Sequence, residues 1–511
     1  MRKIEKKGIQ EKIILSDLQP YKQAGYSRVF IVVFTGLILL KLFYLFSFGP
    51  VFLPDSTGYI KFANLVLNEK EWINHVDLRN AFWQPETAFR SIGYPAFLAF
   101  NKLIFGELFD WSSIGIQITL SLYTSYLIYQ LSDRFLKNEV LALFCASAHA
   151  LSQGLLMDQC LLTDSLNTSL MVIVLCTISI KIIDRSPPKT ATVLGLGTLI
   201  LIAFSIREAG NFLQFLLWPI VLYWIIRNHP LWSMRIFLFM LFISPIFLGV
   251  YGYKTWNEHR TDKRFITTAG QSTMFFPVFK LKKQGIDALK DDPLFQGLPE
   301  YVYPLDEQVM INSYAINKHL HSQHNFNAVE ISNYAFTTFF RLWKTYPVGM
   351  VAGTFSEIRE KQLFSSFMPV ETWVKTHLWA RGSKPFQKRR DMMEKVKTEG
   401  RYELLLAYIA RHLERIISIL ISAAFVIGGP ILFYRTLKKT GYRLQNLPDQ
   451  VWLITFYWLL YFGYTFAYAM VHLEQRYLLP VVPFLTISGV LILKQAFFKL
   501  KTVIRPNNFN T

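Results

Sequence analysis

The stretch VFIVVFTGLILLKLFYLFSF (29–48), followed at once by GPVFLPDSTGY (49–59), decides the fold. Its first part supplies the roughly 20 mostly apolar residues that a spanning helix needs. Its second part breaks at Gly49-Pro50 and sets a carboxylate, Asp55, where a chain leaving a bilayer first meets water. Ten further apolar runs follow, at 91–106, 112–131, 140–157, 165–183, 190–206, 211–226, 235–253, 415–434, 451–470 and 478–496. Composition agrees with a polytopic protein: of 511 residues 52% are hydrophobic and 17% charged, with 44 Phe and a mean hydropathy of +0.26. A soluble single domain does not have this balance.

Orientation follows from Lys and Arg, which collect on short cytoplasmic connections. Arg2, Lys3, Lys6, Lys7, Lys12, Lys22 and Arg28 start the chain inside. Alternation through all eleven runs would put Lys181/Arg185/Lys189 and Arg435/Lys438/Lys439/Arg443 outside, against that rule. The run at 91–106 is short, opened by Arg90 and interrupted by Pro95, Asn101 and Lys102, so it is expected to be an interfacial or re-entrant helix that does not cross. About ten spans then remain, with both termini inside. Asp55, Arg90, Asp158, Asp164, Arg207, Glu208, Glu474 and Arg476 fall on one outer face although they come from separate loops. Ionisable groups at membrane depth are functional candidates by default.

The predicted organisation is a basic N-terminus over 1–28, a transmembrane module over 29–253 whose first outer loop spans 49–111, an extracytoplasmic segment over 254–414, C-terminal spans over 415–496 and a tail over 497–511. Two pieces of the outer segment, 331–353 and 362–380, are apolar, but Arg341, Lys344, Glu371 and Lys375 favour interfacial placement. A basic run over 381–390 reads as a solvated surface ahead of an anion site. The net charge of +19 is accounted for by the cytoplasmic edge and implies no nucleic acid.

Cys145, Cys160 and Cys176 show no CxxC spacing and indicate neither a disulfide framework nor zinc. His319, His321 and His324 read as loop surface, and His149 as a hydrogen-bonded interior residue. P-loop, GxSxG, HExxH and Rossmann glycine patterns are absent, which argues against soluble nucleotide chemistry. No sequon falls in the outer segment, a lean toward a bacterial inner membrane.

The order of motifs resembles a family. DSTGY (55–59), RSIGYPAFLA (90–99), Gln117, LTDSL (162–166), Arg207-Glu208 and RYLLPVVP (476–483) look like the GT-C membrane glycosyltransferases, with the flavour of dolichyl-phosphate-mannose protein mannosyltransferases and bacterial aminoarabinose transferases. The resemblance covers about 29–226 and 450–496. It implies an all-α GT-C-like transmembrane bundle of about ten spans, interfacial helices and a large extracytoplasmic loop. It further implies an enzyme moving a sugar from a polyprenyl-phosphate donor to an extracytoplasmic lipid, glycan or protein acceptor with inversion.

Under that resemblance Asp55 is the general base, and Asp164 matches a second acidic position with Asp158 competing. Arg90, Tyr94, Arg207, Glu208, Arg476 and Tyr477 are the substrate-binding candidates, because Arg pairs bidentately with phosphate oxygens. Many relatives carry two adjacent acids in the first loop, whereas Ser56 follows Asp55 here, so a divalent metal stays open and no other cofactor is expected. Asp55 and Asp164 could instead serve as helix caps. Arg476-Tyr477 could be an interfacial anchor, and a polysaccharide polymerase, a ligase or a lipid-linked sugar transporter is the alternative class.

Overall fold

The computed structural model describes residues 27–78, 86–207, 210–296, 298, 309–360, 394, 397–400 and 402–504. Glu208, the apolar piece 362–380, the basic run 381–390 and nearly all of the N-terminal 28 residues lie outside the described residues.

The helices that position the site are α1 (Arg28–Phe48), α2 (Pro54–Asn64), α3 (Gly93–Phe105), α4 (Phe109–Leu136), α5 (Glu139–Ala150), α6 (Thr163–Ile183), α7 (Thr190–Ile206), α8 (Gly210–Asn228) and α9 (Trp232–Thr261). They continue with α10 (Phe276–Lys282), α11 (Val309–His324), α12 (Ala328–Thr345), α13 (Pro347–Glu360), α14 (Glu403–Lys439), α15 (Asp449–Val471) and α16 (Val482–Ile504). A helix therefore stands at each expected run. Among the described residues, helices α1, α6, α9 and α15, together with Tyr408–Lys439 of α14, are the 5 that are long and apolar enough to cross a membrane. The chain is an all-α polytopic membrane protein.

The run at 140–157 differs from expectation. Its helix stops at Ala150, because the Ser152 hydroxyl turns back to the His149 carbonyl at 2.8 Å and accepts the Gly154 N–H at 3.2 Å. Twelve helical residues rise about 18 Å, short of a hydrocarbon core of roughly 30 Å. Helix α4 is long, at 28 residues, but lines its buried face with Gln117, Ser121, Thr124 and Ser125. Helix α9 continues past its apolar run to Thr261, and α14 begins ahead of its own at Glu403.

One apolar core threads the bundle, with α4 against α5 and α6, α7 against α9, and α14 against α15 and α16. The last of these contacts requires a glycine, since a Cβ on Gly489 would overlap the Ile421 carbonyl oxygen. Cations gather at one end of the bundle. There Arg134 binds Asp184 at 3.0 Å, and Asp449 faces Arg185 at 3.7 Å and Arg227 at 3.5 Å.

The opposite end carries a lobe built from α10 to α13 around Phe275, Leu281, Ile316, Leu320, Ile331 and Leu342. Helix α12 starts at a capping box, Asn327 with Glu330, buries Ile331, Ala335, Phe339 and Leu342, and exposes Phe336 and Phe340. The three histidines read as loop surface lie on α11, where His319 and His324 each bring Nε2 within 3.1 Å of the Leu294 carbonyl. The lobe rests on the end of α15 through Met470 and Val471, and Lys280 donates to the Ala469 carbonyl at 2.8 Å.

Candidate active site

The lobe end of the bundle gathers chain from five places. After α1 ends at Gly49, Val51 forms an isolated parallel bridge with Cys160, its N–H donating to the Gln159 carbonyl at 2.8 Å. Val51, Leu156, Met157, Cys160, Leu162 and Leu479 close an apolar patch beneath it, with Leu53 and Tyr59 packed on top. This patch fixes the first turns of α2 and α6 side by side, and each first turn presents an acid, Asp55 and Asp164.

Neither acid caps its own helix. The N-cap positions are Leu53 and Leu162, without a side-chain cap, and the hydrogen bond at the α2 start comes from Leu53 N–H to Ser56 Oγ at 3.0 Å. The two carboxylates engage arginines instead. Arg90 Nη2 lies 3.1 Å from Asp55 Oδ1, and its guanidinium sits 4.4 Å above the Tyr59 ring. Arg207, just past α7, places Nη1 at 2.5 Å from Asp164 Oδ1 and stacks on Tyr477 at 4.3 Å.

Arg476 stands between both acids, with Nη2 3.8 Å from Asp55 Oδ2 and Nη1 3.9 Å from Asp164 Oδ2. Those separations exceed hydrogen-bond range, so the fork is held by charge while its N–H groups face the space between the acids. Burial disfavours the Arg476 cation, yet Asp164 and Glu474 outweigh it and hold its pKa above the ordinary value. Asp55 is open, with 49% of its side chain exposed, whereas Asp164 is sealed at 5%.

The other predicted residues occupy different ground. Asp158 accepts from Lys41 of α1 at 2.5 Å and from Ser165 Oγ at 2.6 Å, and the Lys41–Asp158 pair is buried. Tyr94 is fully buried and donates to Gln117 Oε1 at 3.0 Å, while Gln117 donates to the carbonyls of Asp158 and Cys160 at 3.0 Å each. Both therefore brace the bridge beneath the site. Tyr477 is the stacking platform for Arg207 and Arg476. His149 bonds Thr124 Oγ1 at 3.2 Å as an interior residue.

Sequence reasoning passed over Lys41, Lys280, Glu357 and His472. Lys41 had a signal, a lone cation inside an apolar run. His472 had another: His472, Glu474 and Arg476 alternate along a segment whose first two members have extended backbone, φ −154 and φ −115. Alternate residues of an extended chain share a face.

Among the described residues no group of three His, Cys, Asp or Glu is arranged to hold a metal. No protein-family model matches the chain, and no curated protein matches it. Among solved structures, ArnT from Cupriavidus metallidurans bound to undecaprenyl phosphate aligns with 95% of this chain and 82% of that one, at 10% identity and a TM-score of 0.32. A likeness that loose assigns no residue a role.

Proposed function

We propose that the protein is a membrane glycosyltransferase of the GT-C type that moves a sugar from a polyprenyl-phosphate donor to an acceptor outside the cytoplasm, with inversion. The observation carrying this reading is Arg476 suspended between Asp55 and Asp164, with Arg90 and Arg207 clamping the far side of each acid. Three guanidiniums around a gap at the end of a membrane bundle suit an anionic headgroup whose lipid tail stays in the bilayer. Arg forks bind phosphate oxygens in pairs and stabilise the charge that grows on a leaving phosphate.

Asp55 is the carboxylate open to an incoming hydroxyl. Ionised, it takes the hydroxyl proton as the acceptor oxygen attacks the anomeric carbon, and the C–O bond to the phosphate breaks on the opposite side of the sugar. Direct displacement inverts that carbon. Asp164 holds Arg207 in place, Tyr477 carries Arg207 on its face, and Asp158 belongs to the buried brace with Lys41. The order of motifs along the sequence supports the same assignment independently of the geometry.

The deciding measurement is Asp55→Asn in the full chain. Asn keeps the shape and the polar contact with Arg90 but cannot accept the proton, so turnover, read as polyprenyl phosphate released, falls by roughly 10²–10⁴ while donor binding persists. A folded Asp55→Asn protein with wild-type turnover would remove the base from this residue.

A further inference from the structure

Arg476 belongs to a continuous line of charge that runs out of the bundle into the lobe. Lys280 of α10 faces Glu357 of α13 at 3.6 Å, Glu357 faces His472 Nδ1 at 3.5 Å, and His472 Nε2 faces Glu474 at 3.3 Å. Glu474 Oε2 then lies 2.6 Å from Arg476 Nε. This close ion pair engages Nε and leaves the two Nη groups of the fork toward Asp55 and Asp164. Glu357 is further fixed by the Leu473 N–H at 3.1 Å, and the His472 ring packs against Phe276 at 5.1 Å and Tyr477 at 6.4 Å.

We infer that His472 is a positioning residue for the phosphate end of the site: its imidazolium takes up the charge of Glu474, so that Arg476 stays turned toward Asp55 and Asp164 and is free to receive a lipid-linked phosphate. The inference rests on the reading given under Proposed function. Without the imidazolium, Glu474 has Arg476 as its principal counter-charge and competes with the phosphate for it. The balance of the cluster moves the same way. With His472 protonated, five cations (Arg90, Arg207, Arg476, Lys280, His472) face four carboxylates (Asp55, Asp164, Glu357, Glu474), and deprotonation removes the excess positive charge.

The ionisation states fit. Burial opposes the His472 cation, but its contacts with Glu357 and Glu474 outweigh that and raise its pKa above the ordinary 6.5. Burial likewise opposes ionised Glu357 and Glu474, yet His472 with Lys280 and the Leu473 N–H, and His472 with Arg476, bring them down to about 2. The cation is present below the raised His472 value and lost as pH climbs through it, so the imidazole's contribution to phosphate affinity falls with rising pH. The groups that face the imidazole are Glu357 from α13, Lys280 from α10, through Glu357, and Glu474, Arg476 and Tyr477 from its own segment.

The test is binding of a polyprenyl monophosphate to the purified full chain in lipid discs between about pH 6 and 9, with Arg476→Ala as the reference for the site. The advantage of wild type over His472→Gln is expected to be roughly five- to tenfold at low pH, the effect of one charge at this range, and to vanish at high pH. The phosphate's own second ionisation is common to every variant, so the difference between the two profiles isolates the imidazole. His472→Lys restores the affinity and leaves only the phosphate's own ionisation in the profile. Glu357→Gln keeps the imidazole but removes an anion from it, and shifts the inflection to lower pH; should His472→Gln fail to fold, this shift decides. If Arg476→Ala abolishes binding while His472→Gln matches wild type in affinity and pH slope, the inference is overturned and the phosphate reading stands. An unmoved inflection in Glu357→Gln also overturns it. Wild-type binding that is absent, or indifferent to Arg476→Ala, overturns the phosphate reading and the inference with it.

Discussion

Asp55 and Asp158 are the same functional group in opposite circumstances. Asp55 is half exposed and shared by two arginines, while Asp158 is sealed against Lys41 inside the bundle. The sequence placed both on the outer face, since both follow apolar runs, and nothing in a linear reading marks which partner a carboxylate will find. Lys41 is the missing information: a lone cation in a spanning helix needs a counter-ion, and the only way to name it is to fold the chain. The distinction has a measurable form. Lys41→Met leaves Asp158 buried without its counter-charge and should cost about 3–5 kcal/mol of stability, whereas Lys41→Met with Asp158→Asn should recover most of it. Thermal unfolding in detergent would show this, and a double variant no more stable than Lys41→Met would argue that Asp158 has a task other than neutralising Lys41.

At the scale of elements, α3 shows how the site is held from behind. Gly93 begins this helix where it meets the end of α7 so closely that a Cβ would collide with the Ser205 backbone. Two residues away Ser91 donates to the Ile206 carbonyl at 3.1 Å, and Ile92 N–H reaches the Tyr253 hydroxyl at 3.1 Å. Arg90 and Arg207, which flank these contacts, are thereby set at a fixed separation. Gly93→Ala should force α3 off α7 at a cost of about 1–3 kcal/mol and reduce phosphate binding although it touches no ligand. Unchanged affinity in that variant would show that the two arginines are positioned independently. The sequence displayed the glycine inside a motif but not its reason, because a close approach between helices more than 100 positions apart leaves no local periodicity.

Across the whole molecule, the positions of the helices were legible because apolar runs of about 20 residues have few other fates. The lobe's contact with the site was not, because Lys280 and Glu357 are ordinary surface types until the end of α15 arrives beside them. The predicted interfacial course of 91–106 can be examined against packing. Helix α3 has 13 residues, its Lys102 donates to Asn64 at the end of α2 at 2.9 Å, and a Cβ added at Gly49 would stand 3.5 Å from the Trp111 ring at the start of α4. With Gly93 against Ser205 at its start and Lys102 bonded to Asn64 near its finish, α3 keeps both ends beside the segments that carry Arg207 and Asp55. A thiol placed at Glu107 should react with a membrane-impermeant reagent from the same side as one placed in the lobe. Labelling of Glu107→Cys from the cytoplasmic side alone would reverse that topology.

The buried pair in α1 also bears on how the protein is made. Lys41 leaves the ribosome 117 residues ahead of Asp158. Over that interval the first helix carries an unanswered charge whose insertion is disfavoured by about 2.5–3.5 kcal/mol at the helix centre, so its hold on the bilayer is provisional. Only when the segment after α5 emerges can Asp158 reach it, and the same segment supplies Cys160 to the Val51 bridge. The step that neutralises the first helix is thus also the step that sets the Val51–Cys160 bridge beneath the cluster of acids and arginines.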